Sequence, residues 1–252
     1  MNTNVVSIEQ VEALLSQLSG PRQAKRYLDL KKVDRTLTKI GPEASILVEV
    51  GAGLCLDLLL LASHHRIYGV AVDFSKQSLT TGKSWTKKLG IHAKMDFCIA
   101  DALNLPFRDG QVDSVVSYSS IEHLPKRELA QKWINEMARI TCERGTIVLT
   151  TSNKLWPMYT LVRISKRIRI GLIESWKTNE FFFHPYEVKD MIEDAGLYPT
   201  SFGGRGLYYY NILLCPLTTY INLAISKIIN LFQNLSCFRI ICGRIGFRAI
   251  KK

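Results

Sequence analysis

No Asp or Glu occurs from Leu197 to Lys252, a stretch that nevertheless carries Arg205, Lys227, Arg239, Arg244, Arg248, Lys251 and Lys252. The formal net charge of +11 is therefore weighted toward the C-terminal side and not spread evenly over a solvated surface. Cysteine pairing is also missing. Cys55, Cys98, Cys142, Cys215, Cys237 and Cys242 contain no Cys-x-x-Cys pair, and no histidine cluster at ligand spacing accompanies them. That argues against a disulfide framework and a zinc site, so the thiols are expected to be reduced and mostly structural. Met1 to Leu15 lacks a basic n-region and a continuous apolar run and holds Glu9 and Glu12, so no secretory signal is expected there and the cytoplasm is the expected compartment. Internal repeats and low-complexity tracts are absent too.

What remains is an alternation of short apolar runs and helix-type spacings. A chain of 252 residues has room for one α/β domain with insertions. Ile8 to Leu18 and Ala24 to Ile40 have helical apolar spacing, broken at Gly20-Pro21 and ended at Gly41-Pro42. Strands are expected over Ile46 to Val50, Ile67 to Val72, Met95 to Ala100, Val112 to Ser117 and Gly145 to Thr151. Helices are expected over Cys55 to Ser63, Ser78 to Leu89 and Arg127 to Ile140. Strands and helices in this rhythm imply a Rossmann-like, mostly parallel sheet with helices on both faces. After Ser152 the rhythm changes: a helix over Pro185 to Ala195, stopped by Gly196, leads to a sixth strand from Leu197 to Phe202.

Three features fall in order at the C-terminal ends of the first three strands, where ligands of open α/β sheets bind. Glu49-Val50-Gly51-Ala52-Gly53-Leu54-Cys55 is a strand end and a glycine turn, in which the backbone can turn tightly and approach a ligand. Asp73, about 20 residues further on, ends the second strand, where a carboxylate can accept from both hydroxyls of a ribose. Asp101-Ala102-Leu103-Asn104-Leu105-Pro106-Phe107 puts an acid at the third strand end, followed by apolar residues able to flank a flat adenine. The fourth strand runs on through Ser117-Tyr118-Ser119-Ser120-Ile121-Glu122-His123-Leu124-Pro125.

With these motifs the chain resembles the class I S-adenosylmethionine-dependent methyltransferases, in particular the small-molecule branch that includes quinone-biosynthesis enzymes. The resemblance covers roughly Ile46 to Leu197. It implies a seven-stranded sheet, S-adenosylmethionine as cofactor and S-adenosylhomocysteine as product. It places Glu49 and the Gly51-Ala52-Gly53 turn by the methionine portion and Asp73, with Phe74 after it, by the ribose. Asp101 and Ala102 fall by the adenine, and Ser117, Tyr118 and Ser119 under the sulfonium. Cys55 stands where the family usually has a third glycine; a small thiol is expected to fit there, with a narrower cofactor cleft as the alternative. No metal is expected. His123 is the candidate base for a hydroxyl acceptor, weighed against a residue that only fixes its loop; His184, before the Pro185 helix, is a weaker second candidate.

The family resemblance divides the chain into N-terminal helices (1–41), a cofactor-binding core (42–151), a substrate-side insertion (152–196) and C-terminal strands with an apolar, basic helical insertion (197–252). Trp156 to Ile173 mixes Arg163, Lys166, Arg167 and Arg169 with apolar residues, as an interfacial helix does. Leu207 to Ser226 has no charged residue, but Asn211, Pro216, Thr218, Thr219 and Asn222 dilute it, so a helical insertion over Tyr209 to Leu235 is preferred to a membrane span. A terminal strand over Gly246 to Lys251 is expected to close the sheet. The acceptor is expected to be a small molecule or a lipid-like one, taken either from an anionic membrane surface or from solution. Three rivals stand beside this: an NAD(P)-binding oxidoreductase, which would not need Asp101; an RNA methyltransferase, for which no recognition module is evident, so that nucleic acid is not the expected partner; and a cofactor-binding protein without activity. The oligomeric state and the methylated atom are not legible.

Overall fold

A computed structural model describes residues 6–19, 45–65, 67–156, 159, 180–205 and 240–252. The helix expected over Ala24 to Ile40, nearly all of the basic run from Trp156 to Ile173, and the insertion over Tyr209 to Leu235 lie outside the described residues. So do Cys215 and Cys237.

The chain order is α1 (Ile8–Ser19), β1 (Ser45–Val50), α2 (Leu56–His64), β2 (Ile67–Asp73), α3 (Lys76–Lys88), β3 (Met95–Ile99), β4 (Val112–Tyr118), α4 (Leu129–Ile140), β5 (Thr141–Ser152), α5 (Pro185–Asp194), β6 (Leu197–Arg205) and β7 (Arg244–Lys251). Seven strands form one sheet in the order β3-β2-β1-β4-β5-β7-β6. The first five are parallel, and β7 runs antiparallel between β5 and β6. The expected Rossmann-like architecture is therefore present. The main departure is β5, which begins at Thr141 because the register against β4 shifts between Val112 and Ser114.

Strand alternation sends successive side chains to opposite faces, and both faces are covered, so the strands are apolar on each. Leu47, Ala71, Val116, Tyr118 and Val148 join one buried cluster with α2, Leu79 and Trp85 of α3, and Val11, Leu14 and Leu15 of α1. Val48, Val50, Val72, Val115, Ile147 and Leu149 join the other with α4 and α5. The Leu-rich α2 is buried from Leu56 to Ser63. Apolar residues all round a helix require cover on every side, and the α1 residues in the same cluster contribute to it.

Beyond β5, Asn153 ties three segments together. It is fully buried; its Nδ2 donates to the Ile240 and Cys242 carbonyls at 2.8 and 2.6 Å, and it bridges in parallel to Phe183. These bonds bring Gly243 and Arg244, far along the chain, to the same sheet end as the glycine turn.

Candidate active site

The strand order reverses between β1 and β4, and at such a point the loops leaving the C-terminal strand ends diverge and leave a crevice. A cavity of about 790 Å³ lies there, lined by the turn after β1, the ends of β2 and β4, the loop after β3 and the segments near residues 156, 180 and 243. Its size falls within the roughly 300–1,000 Å³ of small-molecule sites.

Gly51 has φ +72°, and its N–H and that of Ala52 donate to the Val72 carbonyl at 2.9 and 3.0 Å. A Cβ on Gly51 would stand 2.6 Å from Ser120 Cβ, and Ser120 Oγ donates to the Gly51 carbonyl at 2.9 Å. That glycine is required by the closure of β1 on β4. Gly53 differs: φ is +52°, and a Cβ there would meet nothing within 4 Å, so its open side is cavity. Asp73 is nearly buried and holds the turn, one carboxylate oxygen accepting from the Gly53 N–H at 2.7 Å and the other from the Ser75 N–H at 2.8 Å. Each oxygen keeps a further lone pair for a ligand hydroxyl.

Phe74 lines the same cavity with 85% of its surface exposed, an apolar ring offered to a ligand or to solvent. Asp101 Oδ1 accepts from the Leu103 N–H at 2.9 Å, which fixes the direction of its carboxylate at the cavity wall. Ala52, Ala102, Tyr118 and Ser119 complete this half, Ser119 with φ +52°. The open side of Gly53, the exposed ring of Phe74 and two carboxylates spaced along the wall fit a nucleoside with a flexible tail.

Two sequence-selected residues stand behind the wall and not on it. Glu49 is buried, and its Oε2 accepts from the Leu58 N–H at 3.2 Å. It thereby serves an orphan donor in the first turn of α2, whose N-cap Cys55 makes no side-chain cap bond. Ser117 is fully buried and, unlike Tyr118 next to it on β4, is not among the residues that line the cavity.

Cys55 fits, as expected of a small thiol, and is not among the residues that line the cleft. It adopts φ +59° and is fully buried, and its Sγ lies 3.0 Å from where a Cβ on Gly82 would be. The thiol is accommodated because α3 carries glycine opposite it. Burial, then the nearby Glu49 and Asp73 charges, push this thiol well up, so it is no nucleophile.

The far half of the cavity comes from elements beyond β4. His123 lies on the wall, its side chain about half exposed, with Nδ1 3.8 Å from Glu180 Oε1. Glu122, part of the run after the fourth strand and given no role from sequence, also lines the cavity but is 2% exposed. It accepts from Thr151 Oγ1 at 3.0 Å and Ser152 Oγ at 3.2 Å. Burial raises its proton affinity, against the opposing influence of Arg244, His123 and its hydrogen bonds. Its partners come from β5 and β7, and no signal in the local sequence predicts them. Trp156 and Phe182 add aromatic surface to this half.

His184 does not reach the cavity. It is the N-cap of α5, its Nδ1 accepting from the Tyr186 N–H while Glu187 accepts from the His184 N–H, a capping box. Arg127 fixes this region, donating to Glu187 and to the Phe182 carbonyl at 2.8 Å with its guanidinium over the Phe183 ring.

Residues 48–149 match the family model described as a methyltransferase domain. The chain is 30% identical over 103 residues to ajmaline N-methyltransferase of Rauvolfia serpentina, covering 41% of this chain and 34% of that protein. Against the probable chloroplastic tocopherol O-methyltransferase of Oryza sativa subsp. japonica it is 30% identical over 104 residues, 41% of this chain and 28% of that one. It thus spans about a third of the length of these relatives. A solved structure of geranyl diphosphate methyltransferase in complex with S-adenosylmethionine superposes with a TM-score of 0.61 at 16% identity, covering 95% of this chain and 90% of that one, a likeness of fold. The glycine turn and the two strand-end carboxylates lie within the segment, residues 48–149, that matches the methyltransferase-domain model, and over this segment the chain is similar to the methyltransferases named above.

Proposed function

We propose that the protein transfers the methyl group of S-adenosylmethionine to a small-molecule acceptor with an apolar part, releasing S-adenosylhomocysteine. One observation carries this reading: the cofactor-type residues Gly53, Asp73 and Asp101 share a single cavity with Trp156, Phe182, Glu122 and His123. Relatives named for ajmaline N-methylation and tocopherol O-methylation support a small-molecule acceptor. Bound S-adenosylmethionine supplies a methyl group on a good leaving group, so alignment of the partners can contribute about 7–11 kcal/mol in favourable cases and no protein nucleophile is needed.

The chain's residues then divide the work. Asp73 accepts from the ribose hydroxyls, Asp101 from the adenine amine, and Phe74 and Ala102 flank the base. The Gly53 turn makes room for the methionine portion, with Tyr118 and Ser119 beneath the reacting centre. Glu122, buried with raised proton affinity, takes the proton that a hydroxyl or ammonium acceptor must lose, and the half-exposed His123 passes it to solvent. His123→Ala is expected to retain cofactor binding and to lose turnover of a hydroxyl acceptor; unchanged turnover would remove His123 from this role. The function itself is tested by calorimetric titration with S-adenosylmethionine and S-adenosylhomocysteine. Failure of the folded protein to bind either would overturn it in favour of a dinucleotide or scaffold role.

The enzyme works in the cytoplasm and meets a lipophilic acceptor at an anionic membrane surface. What supports this is the unbroken basic bias from Leu197 to Lys252, at about 1 kcal/mol for each cation near such a surface. Among the described residues no helix is long and apolar enough to cross a membrane. Co-sedimentation with vesicles containing phosphatidylserine is expected at low salt and should weaken as salt rises; no binding at low salt would sink the membrane part alone.

A further inference from the structure

We infer that Arg139, with Glu136, is a positioning residue that sets the adenine selectivity of the cofactor site from outside it. The inference rests on the reading of Asp101 as the acceptor of the adenine amine. Neither Arg139 nor Glu136 lines the cavity. Both project from α4, one turn apart, onto the loop that joins β3 to β4 and begins with Asp101.

Within that loop, local bonds fix the carboxylate only relative to its own neighbours: Leu103 N–H donates to Asp101 Oδ1 and Asn104 N–H to the Asp101 carbonyl at 3.0 Å. The start of the loop is tied to β2 by the Ala100 N–H, which donates to the Asp73 carbonyl at 3.2 Å, and its middle is held by the α4 pair. Glu136 Oε2 accepts from the Leu105 N–H at 2.7 Å, and Arg139 Nη2 donates to the Leu105 carbonyl at 2.9 Å, so one residue is gripped from both sides. Arg139 Nη1 reaches the Phe107 carbonyl at 2.8 Å and Asp109 Oδ1 at 2.7 Å, and its Nε bonds back to Glu136 Oε1 at 2.7 Å. The Gly110 N–H closes the set on the Arg139 carbonyl at 2.9 Å. The hydrogen bond from Arg139 holds the Glu136 carboxyl below its ordinary range, as expected of a pair that stays charged. A planar guanidinium supplies these several donors at fixed angles; a lysine ammonium cannot hold Leu105, Phe107 and Glu136 at once.

The consequence is chemical. A carboxylate accepts from the exocyclic amine of adenine but repels the carbonyl oxygen that hypoxanthine carries in its place. Preference for S-adenosylhomocysteine over S-inosylhomocysteine therefore reports where Asp101 stands. General destabilisation lowers both affinities together, whereas a displaced Asp101 changes their ratio.

Calorimetry with both ligands on the wild type, Arg139→Met, Arg139→Lys and Asp101→Ala separates these cases. The wild type should prefer the adenine form at least about tenfold, as one hydrogen bond to a charged group allows. Asp101→Ala should abolish the preference, Arg139→Met should cut it at least about fivefold, and Arg139→Lys should fall between. An unchanged ratio in Arg139→Met, or no preference in the wild type, overturns the inference. If Arg139→Met does not fold, Glu136→Gln, which weakens the grip on Leu105, should lower the ratio in the same direction, and an unchanged ratio there overturns it equally. A wild type that binds neither ligand refutes the cofactor reading instead.

Discussion

Asp73→Ala will bind S-adenosylhomocysteine at least about 100-fold more weakly than the wild type, because two hydrogen bonds from ribose hydroxyls to a charged acceptor, at about 1.5–3 kcal/mol each, are lost together. The structure adds a second reason. Both oxygens of Asp73 already accept from backbone, from Gly53 and from Ser75, so truncation also frees the glycine turn and the entry to α3. Asp73→Asn removes the charge and keeps one acceptor oxygen. Its amide nitrogen cannot accept, so one of the two N–H groups would face a donor, and the variant should bind nearly as poorly as Asp73→Ala. Calorimetry on folded protein measures this. Near-wild-type affinity in Asp73→Asn would show that neither the negative charge nor the second backbone hydrogen bond is needed for binding, and near-wild-type affinity in Asp73→Ala would remove Asp73 from the cofactor site.

Glu122→Gln will lower turnover by about 10²–10⁴-fold, the range of a lost general base, while leaving S-adenosylhomocysteine affinity unchanged. The same substitution carries a stability signature of opposite sign. Burial raises the folded-state pKa of Glu122, so between the ordinary carboxylate range and that raised value the folded protein holds more protons than the unfolded chain. Wild-type stability therefore falls as pH rises through this window, and the deficit persists above it. The neutral amide escapes that loss, and the Thr151 and Ser152 hydroxyls can reorient toward it. Glu122→Gln should melt no lower than the wild type at neutral pH, and any advantage should shrink as the pH is lowered into the carboxylate range. Thermal unfolding across pH checks this, and turnover against pH should lose its acid limb in the variant. An inactive variant that also melts much lower at neutral pH would mark Glu122 as structural.

Much of this molecule was legible before its structure. Apolar runs covered on both faces are continuous enough to be recognised as strands, and each of β1 to β4 begins within one residue of its expected start. The glycine turn, Asp73 and Asp101 were legible because each belongs to a short segment at a strand end, where local sequence fixes position along the sheet. How Cys55 is accommodated was not legible for the converse reason: whether a thiol fills the cleft depends on what packs against it, and Gly82 lies in another helix. Glu49 and Ser117 were expected beside the methionine portion and the sulfonium, but both are buried and stand outside the cavity lining, Glu49 bonded to the first turn of α2.

The order of strand, glycine turn and strand-end acids, a local property of the chain, was enough to determine the fold class and to find the residues of one half of the cavity. Which residues make the other half was decided only in three dimensions. Glu122 meets Thr151 and Ser152 across β5, Arg244 arrives through Asn153 and the antiparallel β7, and the α4 pair Glu136 and Arg139 secures a loop that precedes it by about 30 residues. Contacts between segments so far apart leave no period or spacing in the sequence. They exist because a parallel sheet brings its C-terminal strand ends together, whatever their separation along the chain.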